Sequence, residues 1–190
     1  AESQPDVTGS IQLAGIELVG ANASALRWAR RHLVRAISQD PMGALNPTMT
    51  IRRQMRESTG AADASIVDWL RRTGLGEPER IADAFPHRLS GGQRQRVAIA
   101  MSMMAHPKLL IADEPTTALD VTIHAQVLDL LRDLSRQRET AILFVTHDLS
   151  VAAALADRLL VLYAGRVAEI GRVQDVVANP AHPYSAGLLA

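Results

Sequence analysis

A short apolar run at residues 109–112 limits the possible folds of this chain more than any other segment. The run has no alternation of polar and apolar residues, which is typical of a strand buried on both faces of a parallel sheet. A second run of the same kind covers residues 141–145, and residues 33–38 are apolar enough for a third strand. Because helical patterns separate the runs, the order of elements predicts an α/β protein with a mainly parallel sheet.

The segment between Asn46 and Lys108 contains helical patterns and no strand pattern. Three short helical patterns, at residues 50–57, 66–70 and 78–84, precede a longer one that begins at Ser90 and ends before Pro107. On the longer helix, apolar residues at helical spacing predict a single shared face formed by Val97, Ala100, Met101 and Met104. The segment therefore predicts a helical insert in the α/β protein.

Both ends of the chain carry patterns for additional elements. Before residues 33–38, we expect two short strands around Ala14 and Gly15, and a helix over residues 25–32 capped by Ser24. Later we expect a long amphipathic helix over residues 123–134, helices over 149–156, 173–178 and 185–189, and a hairpin of strands 159–163 and 166–170.

Composition excludes several classes of protein. The chain has 190 residues, 47% of them hydrophobic, so we expect a packed core rather than disorder. Its 20 basic and 20 acidic side chains give no net field to attract nucleic acid or an anionic membrane. The lack of cysteine excludes disulfides, thiolate metal sites and cysteine nucleophiles. Because no apolar stretch has the length of a membrane span, we expect a soluble protein or one that reaches a membrane through a partner.

Two carboxylates, Asp113 and Glu114, follow directly after the apolar run at residues 109–112. Ligands of open α/β sheets bind just beyond the carboxyl ends of the strands. One carboxylate there suits Mg²⁺, directly or through water. The other suits a general base that orients an attacking water, a role typically contributing ~10²–10⁴-fold in rate. Taken alone, the pair fits equally well with a strand that ends in an acidic turn.

Residues 89–93 form the start of the long helical pattern. Ser90 and Gln93 have the spacing of a capping box, and Gly91 and Gly92 leave the N–H groups of the first turn uncovered. Such a helix start attracts phosphate through its geometry and its dipole. The alternative is an ordinary capped helix, but each glycine in the first turn costs roughly 1 kcal/mol relative to alanine, which favours a phosphate site.

Three other polar residues are weaker candidates. His147 follows the run at residues 141–145, so we expect it at the same sheet edge as the two acidic residues, in reach of a phosphate or an attacking water. The alternative is an exposed histidine beside a helix capped by Asp148. Gln39 follows residues 33–38 and could bind Mg²⁺ or water. Asp120 could be no more than a helix cap.

Taken together and in this order, these motifs closely resemble those of an ABC transporter nucleotide-binding domain. Residues 89–93 match the ABC signature, residues 109–114 match the Walker B strand with its catalytic glutamate, and residues 118–120 match the D-loop. Gln39 matches the Q-loop glutamine and His147 the switch histidine. The resemblance covers nearly the whole chain. It implies a P-loop NTPase-like core, N-terminally incomplete, with an inserted helical subdomain.

The resemblance is closer to the oligopeptide, dipeptide and nickel importer branch, through residues 39–47 and the tail at residues 179–189. It divides the chain into a remnant of the β-subdomain and core at residues 1–46, a helical subdomain at 47–104, and the rest of the ATPase core at 105–190. By analogy, the helical subdomain contacts the membrane subunits.

The resemblance also implies a role for each matching residue. Asp113 would hold Mg²⁺ through water, Glu114 would polarise the attacking water, Gln39 would sense Mg²⁺ and the γ-phosphate of ATP, and His147 would hold that phosphate. The signature residues Ser90, Gly91, Gly92 and Gln93 would grip the nucleotide of the opposite domain in a head-to-tail pair, and Asp120 would couple the two sites. The implied partners are a second ABC ATPase domain, transmembrane permease subunits at the cytoplasmic face of the membrane and, indirectly, an extracytoplasmic solute-binding protein, with no nucleic acid.

One family motif has no counterpart in this sequence. A P-loop has the pattern Gly-x-x-x-x-Gly-Lys-Ser/Thr, and the only lysine of the chain, Lys108, stands between Pro107 and Leu109. We expect a truncated ATPase rather than a natural P-loop-less domain. In either case we expect no ATP binding at the chain's own Walker site and negligible hydrolysis. We also expect either exposed apolar sheet surface with low stability or an unusual packing that covers the gap.

Three functions are compatible with these motifs. The first is the ATPase subunit of an importer of peptides or similar small solutes. The second is a binding module that contributes only its signature motif to the nucleotide of a partner. The third is an ABC-type ATPase of DNA repair or chromosome structure, but such proteins carry long coiled coils, and here only a short helical segment separates Gln39 from Ser90. The transported solute cannot be inferred from these residues.

Overall fold

The computed structural model describes residues 7–39, 43–115 and 121–189, without the side chains of residues 121–123. The strands are β1 (Gln12–Leu13), β2 (Ile16–Glu17), β3 (Val34–Ile37), β4 (Leu109–Asp113), β5 (Ala141–Val145), β6 (Arg158–Tyr163) and β7 (Arg166–Arg172). The α-helices are α1 (Ala23–His32), α2 (Ile51–Thr59), α3 (Asp63–Arg72), α4 (Pro78–Asp83), α5 (Gly91–Met104), α6 (Val121–Arg138), α7 (Leu149–Leu155), α8 (Val173–Ala178) and α9 (Pro183–Leu189). This order and the parallel sheet confirm the α/β class.

The main sheet has the strand order β3-β4-β5. Strands β3 and β4 run parallel, with Val34 paired to Leu109 and Ile37 paired to Ala112. The backbone oxygen of Leu33 accepts hydrogen bonds from the N–H groups of Lys108 and Leu109, which fixes the register at the start of both strands. The carboxyl ends of β3 and β4 therefore lie at one edge of the sheet.

The expectation that β5 is buried on both faces is wrong. Its residues alternate between half-buried and exposed, and Leu143 and Val145 are 53% and 45% exposed. Strand β5 is the edge strand of the described sheet, and the side chains of Ala141, Leu143 and Val145 on one of its faces are exposed. The expected exposed apolar sheet surface is thus confirmed at this strand.

Between β3 and β4, helices α2 to α5 pack around a shared apolar core. Its fully buried members include Ile51, Met55, Ile66, Leu70 and Ile81. The buried side chain of Gln54 holds the segment before α2 in place. Its Oε1 accepts the N–H of Asn46, and its Nε2 donates to the backbone oxygens of Asn46 and Met49. No helix among the described residues is both long and apolar enough to cross a membrane.

Helix α5 differs from the expectation of one buried face. Between Val97 and Met104 every residue except Met101 is buried, including Ala98, Ile99 and Met103. The helix contacts α3 and α2 as well as β3, so it is surrounded by other elements rather than lying on one of them. A helix that is buried all round has no need of an amphipathic pattern.

The N-terminal elements form as expected, apart from one cap. Strands β1 and β2 pair antiparallel across a turn in which Ala14 and Gly15 have positive φ. Helix α1 is capped by Asn22 rather than by Ser24, because the Asn22 side chain accepts the N–H of Ala25 and also the hydroxyl of Ser24.

The chain divides into two compact units, residues 1–143 and residues 144–190. In the second unit, β6 and β7 form the expected hairpin around Ala164 and Gly165, which both have positive φ. The carboxylate of Glu169 accepts the N–H groups of Ala181 and His182, and so holds the tail against β7. The family-based boundaries at residues 46/47 and 104/105 stay predictions.

Candidate functional site

Two of the candidate residues meet at the carboxyl edge of the sheet. Gln39 lies two residues after Ile37, and Glu114 lies two residues after Ala112, its partner in the register. The side-chain Nε2 of Gln39 donates a hydrogen bond to Oε2 of Glu114 at 3.1 Å. The two residues are 75 positions apart in sequence, so the parallel pairing of β3 and β4 is what brings them together.

The backbone at Glu114 adopts a conformation that few non-glycine residues accept. Its φ is 43°, in the left-handed region, and the next residue, Pro115, is buried. Such a conformation costs on the order of 1 kcal/mol or more and persists where the surroundings enforce it, often at functional sites. Here the turn directs the half-buried Glu114 carboxylate toward Gln39, while Asp113 stays exposed at the end of β4.

The donors at this edge fit a hard divalent cation. The carboxylate of Asp113 and the amide oxygen of Gln39 are oxygen ligands, and Mg²⁺ is usually bound by one or two carboxylates together with water and phosphate oxygens. Within residues 7–39, 43–115 and 121–189, no group of three or more acidic, histidine or cysteine side chains forms a complete metal site. The edge therefore fits Mg²⁺ that arrives with a phosphate ligand, rather than Mg²⁺ held by protein alone.

The only lysine of the chain lies at the wrong end of β4 for phosphate binding. Lys108 precedes the first residue of the strand, and its backbone N–H bonds the oxygen of Leu33 at 2.9 Å. At about 3.3 Å per residue, roughly 16 Å of strand separates it from Asp113. The side chain of Lys108 thus cannot neutralise a phosphate beside Asp113 and Glu114.

The start of α5 has the geometry expected from the signature segment. The hydroxyl of Ser90 accepts the N–H of Gln93 at 3.3 Å, and Oε1 of Gln93 accepts the N–H of Ser90 at 3.0 Å, so the capping box is confirmed. Gly91 is exposed, and a Cβ placed on it would meet no atom within 4 Å. Gly92 is buried, so the helix start is open to a ligand at Ser90 and Gly91.

Two residues that the sequence analysis did not single out anchor this helix. Arg96 donates from Nη1 to the backbone oxygen of Thr73 at 2.8 Å and from Nη2 to Oε1 of Gln126 at 2.7 Å. Gly74 makes room for this arginine, because a Cβ at Gly74 would lie 2.7 Å from Nη1 of Arg96. The φ of 73° at Gly74 and its close approach to Arg96 both favour glycine at this position.

The positions of the two remaining candidates, His147 and Asp120, relative to this edge stay predictions. His147 is exposed and belongs to the second unit, where Asp148 caps α7 by accepting the N–H groups of Ser150 and Val151. Its predicted position beside the acidic pair stays a prediction. Asp120 lies outside the described residues.

Comparison with known proteins identifies the family. The family model described as "ABC transporter" matches residues 1–117. The oligopeptide transport ATP-binding protein OppD of Bacillus subtilis is 47% identical over 96% of this chain and 53% of its own length. The dipeptide transport ATP-binding protein DppD of the same organism is 42% identical over 95% of this chain and 56% of its own length. The chain therefore spans about half the length of these curated relatives.

Solved structures agree with this result. A dimeric bacterial ABC transporter cassette matches 87% of this chain and 74% of its own chain, with a TM-score of 0.75 and 28% identity. A dimeric post-hydrolysis state of an ATP-binding cassette bound to ADP and Pi matches the same shares with a TM-score of 0.74 and 27% identity. On the family match and these likenesses, the chain belongs to the ABC transporter family of ATP-binding cassettes.

Proposed function

We propose that this chain carries the catalytic residues at the carboxyl edge of the sheet and the signature helix of an ATPase. This ATPase drives an importer of peptides or similar small solutes. The observation that carries the proposal is the hydrogen bond of 3.1 Å between Gln39 and Glu114. It joins the Q-loop glutamine to the Walker B glutamate at the carboxyl edge of a parallel sheet, where ligands of such folds bind. The relatives named for oligopeptide and dipeptide transport support the solute class.

In this proposal the chain's own residues divide the work of hydrolysis. Asp113 is exposed at the tip of β4 and holds Mg²⁺ through water. Glu114 polarises the attacking water, and Gln39 keeps the Glu114 carboxylate in place until Mg²⁺ and the γ-phosphate compete for its amide. When bound, Mg²⁺ neutralises the developing charge on the phosphate oxygens. His147 holds the γ-phosphate, and Asp120 couples the two sites of a pair.

The signature residues act on a second domain. Ser90, Gly91, Gly92 and Gln93 form a helix start that is exposed at Ser90 and Gly91. Its N–H groups and dipole stabilise a phosphate. In a head-to-tail pair, this phosphate belongs to the nucleotide of the opposite domain, and the dimeric cassettes among the similar structures support such a pair. The other proposed partners are permease subunits at the cytoplasmic face of the membrane and, indirectly, an extracytoplasmic solute-binding protein.

Alone, the 190-residue chain neither binds ATP at its Walker site nor hydrolyses it. The strand edge offers two carboxylates and an amide, and the only lysine lies at the opposite end of β4. A triphosphate placed beside Asp113 and Glu114 would meet like charge without a cationic cradle, which costs binding free energy. The second candidate function is a binding module in which only the start of α5 contacts the nucleotide of a partner domain. The complete capping box at Ser90 favours it.

Titration with a fluorescent ATP analogue separates these functions. The purified chain is titrated alone and after mixing with an intact ABC cassette whose own signature serine is replaced. We expect no saturable binding by the chain alone, and tighter analogue binding by the mixture than by the cassette. Ser90→Ala in the chain should remove the gain, while Arg53→Ala, at an exposed position of α2, should leave it intact. Saturable binding by the isolated chain would contradict the proposal.

A further inference from the structure

A cationic cleft lies on the first unit, where Val34, Arg35 and Ala36 of β3 line it ahead of the carboxyl end of the strand. It has a volume of about 450 Å³, and its lining includes Arg30 of α1, Arg35 of β3, Ser58 of α2, and Met101 and Ser102 of α5. Four separate elements thus contribute to it. Clefts of this size are large enough for a small ligand.

Arg35 occupies a position of the sheet that otherwise belongs to the core. It pairs in register with Leu110, and Ile37 lies two residues further along β3 on the same face of the sheet. Both of these neighbours are fully buried. The Nε atom of Arg35 is buried and has no hydrogen-bond partner among the described residues. A buried guanidinium nitrogen without a partner costs free energy, because the protein does not replace the water that it loses.

The charge around this cleft is not balanced by carboxylates. No ion pair in the described part of the chain involves Arg30, Arg31 or Arg35, although arginines of the neighbouring helices do pair, as Arg52 does with Asp83. Burial, and then the positive charge of Arg31, lowers the pKa of Arg35 from its ordinary value. The cleft therefore presents positive charge that a bound anion would neutralise.

We propose that this cleft is a binding site for a small tetrahedral oxyanion of the phosphate type. Two guanidinium groups and two serine hydroxyls, from Arg30, Arg35, Ser58 and Ser102, offer more donors than the two oxygens of a carboxylate can accept at once. Phosphate has four oxygens, and guanidinium binds phosphate through paired hydrogen bonds. Bound phosphate would also give the buried Nε of Arg35 the acceptor that it lacks.

The site is separate from the proposed catalytic edge. Arg35 and Gln39 are four residues apart along the direction of β3, which corresponds to roughly 13 Å. The proposal thus does not depend on the function assigned to Asp113 and Glu114. A failure of phosphate binding would leave the ATPase proposal untouched, and the reverse also holds.

Calorimetric titration of the whole chain with inorganic phosphate tests the site directly. We expect one saturable site in the wild-type chain. Because a hydrogen bond to a charged group contributes substantially, Arg35→Met and Ser102→Ala should each weaken binding, the arginine variant by roughly tenfold to a hundredfold. Sodium glutamate at the same ionic strength should bind at least tenfold more weakly than phosphate.

Two controls separate this site from other causes of binding. Arg80→Met removes an exposed arginine of α4, and Ser65→Ala removes an exposed hydroxyl of α3, so both should bind phosphate as the wild type does. If Arg35→Met fails to fold, judged by circular dichroism, Arg30→Met with Ser58→Ala takes its place. The proposal is overturned if phosphate does not saturate, if Arg35→Met or its replacement binds as the wild type does, or if glutamate binds equally well.

Discussion

At the scale of single residues, the backbone conformation at Glu114 favours glycine, whereas the candidate site uses a carboxylate at this position. With a φ of 43°, a side chain at this position is strained, whereas glycine accepts the left-handed region without a steric cost. The strained turn nevertheless directs the carboxylate to Gln39. We interpret the strain as a consequence of placing a carboxylate at this point of the sheet edge.

This interpretation predicts that Glu114→Gly is at least as stable as Glu114→Ala. Both variants remove the carboxylate and its hydrogen bond, but only alanine keeps a Cβ at a positive φ, so glycine should be favoured by about 1 kcal/mol. Urea unfolding followed by circular dichroism measures the difference. If alanine is the more stable of the two, the left-handed turn at Glu114 is not a source of strain.

At Gly91, replacing glycine by a larger residue should raise stability but weaken phosphate binding. It is in the first turn of α5, its φ is not positive, and a Cβ there meets no atom within 4 Å. Gly91→Ala should therefore stabilise the chain by up to about 1 kcal/mol through helix propensity. The same methyl group would obstruct a phosphate at the helix start, so the gain of analogue binding in the mixture with an intact cassette should fall. A stabilised variant that still supports the full gain would argue against a phosphate contact at Gly91.

At the scale of elements, ion pairs connect helices of the α2–α5 block, and the pair of Arg52 with Asp83 joins α2 to α4. Arg52 of α2 donates from Nε to Oδ1 of Asp83 at the end of α4, at 2.7 Å. The hydrogen bond from Arg52 lowers the pKa of Asp83 from its ordinary value of 3.8. A carboxylate whose pKa is lowered by folding contributes stability above its ordinary pKa, and this contribution is lost as the pH falls through the lowered value.

We therefore expect Asp83→Asn to remove a small acid-dependent part of the stability. Asp83 is exposed, so the difference from the wild type should be ~0.2–1 kcal/mol at pH 6. The difference should shrink as the pH falls below 3.8 and vanish below the lowered pKa of Asp83. Urea unfolding at several pH values measures it. Asp68→Asn, which removes an exposed pair with Arg72 within α3, is the matched control. A difference that persists unchanged at low pH would exclude the ion pair as its cause.

Sequence patterns predict elements well where the determining interactions are local. The strands, the capping box of Ser90 and the hairpin at Ala164 and Gly165 follow from neighbouring residues, and the structure has them. The full burial of α5 could not be predicted in this way, because it depends on how many elements surround the helix. Arg35 shows the same limit: the apolar run around it predicts a strand but does not show that its position faces the core.

At the scale of the whole molecule, the apolar surface that stays exposed limits solubility. Leu143 and Val145 of β5 are about half exposed on the same face of the strand, and an apolar face at a sheet edge favours self-association. Leu143→Thr with Val145→Thr should reduce aggregation during heating without lowering the midpoint of unfolding. Light scattering and circular dichroism measure both quantities. Leu110→Thr, at a fully buried position of β4, should instead lower the midpoint.

The candidate site shows how far sequence reasoning extends over the molecule. Residue types and spacing predict Asp113, Glu114 and Gln39 as the residues of a strand edge, because each follows an apolar run. The contact between Gln39 and Glu114 needs the register of β3 on β4, which no local pattern contains. The anchoring of α5 by Arg96 at Thr73 and Gln126 likewise depends on tertiary packing.

The most direct test of the central claim is the ATPase rate of a chimaera. In this chimaera, residues 7–189 replace the matching segment of OppD from Bacillus subtilis, which keeps its own remaining sequence, and Glu114→Gln is the variant. We predict that the chimaera hydrolyses ATP, and that Glu114→Gln lowers kcat by ~10²-fold or more while ATP binding is retained. If the variant hydrolyses ATP as fast as the parent chimaera, Glu114 does not activate the attacking water, and the account of this sheet edge is wrong.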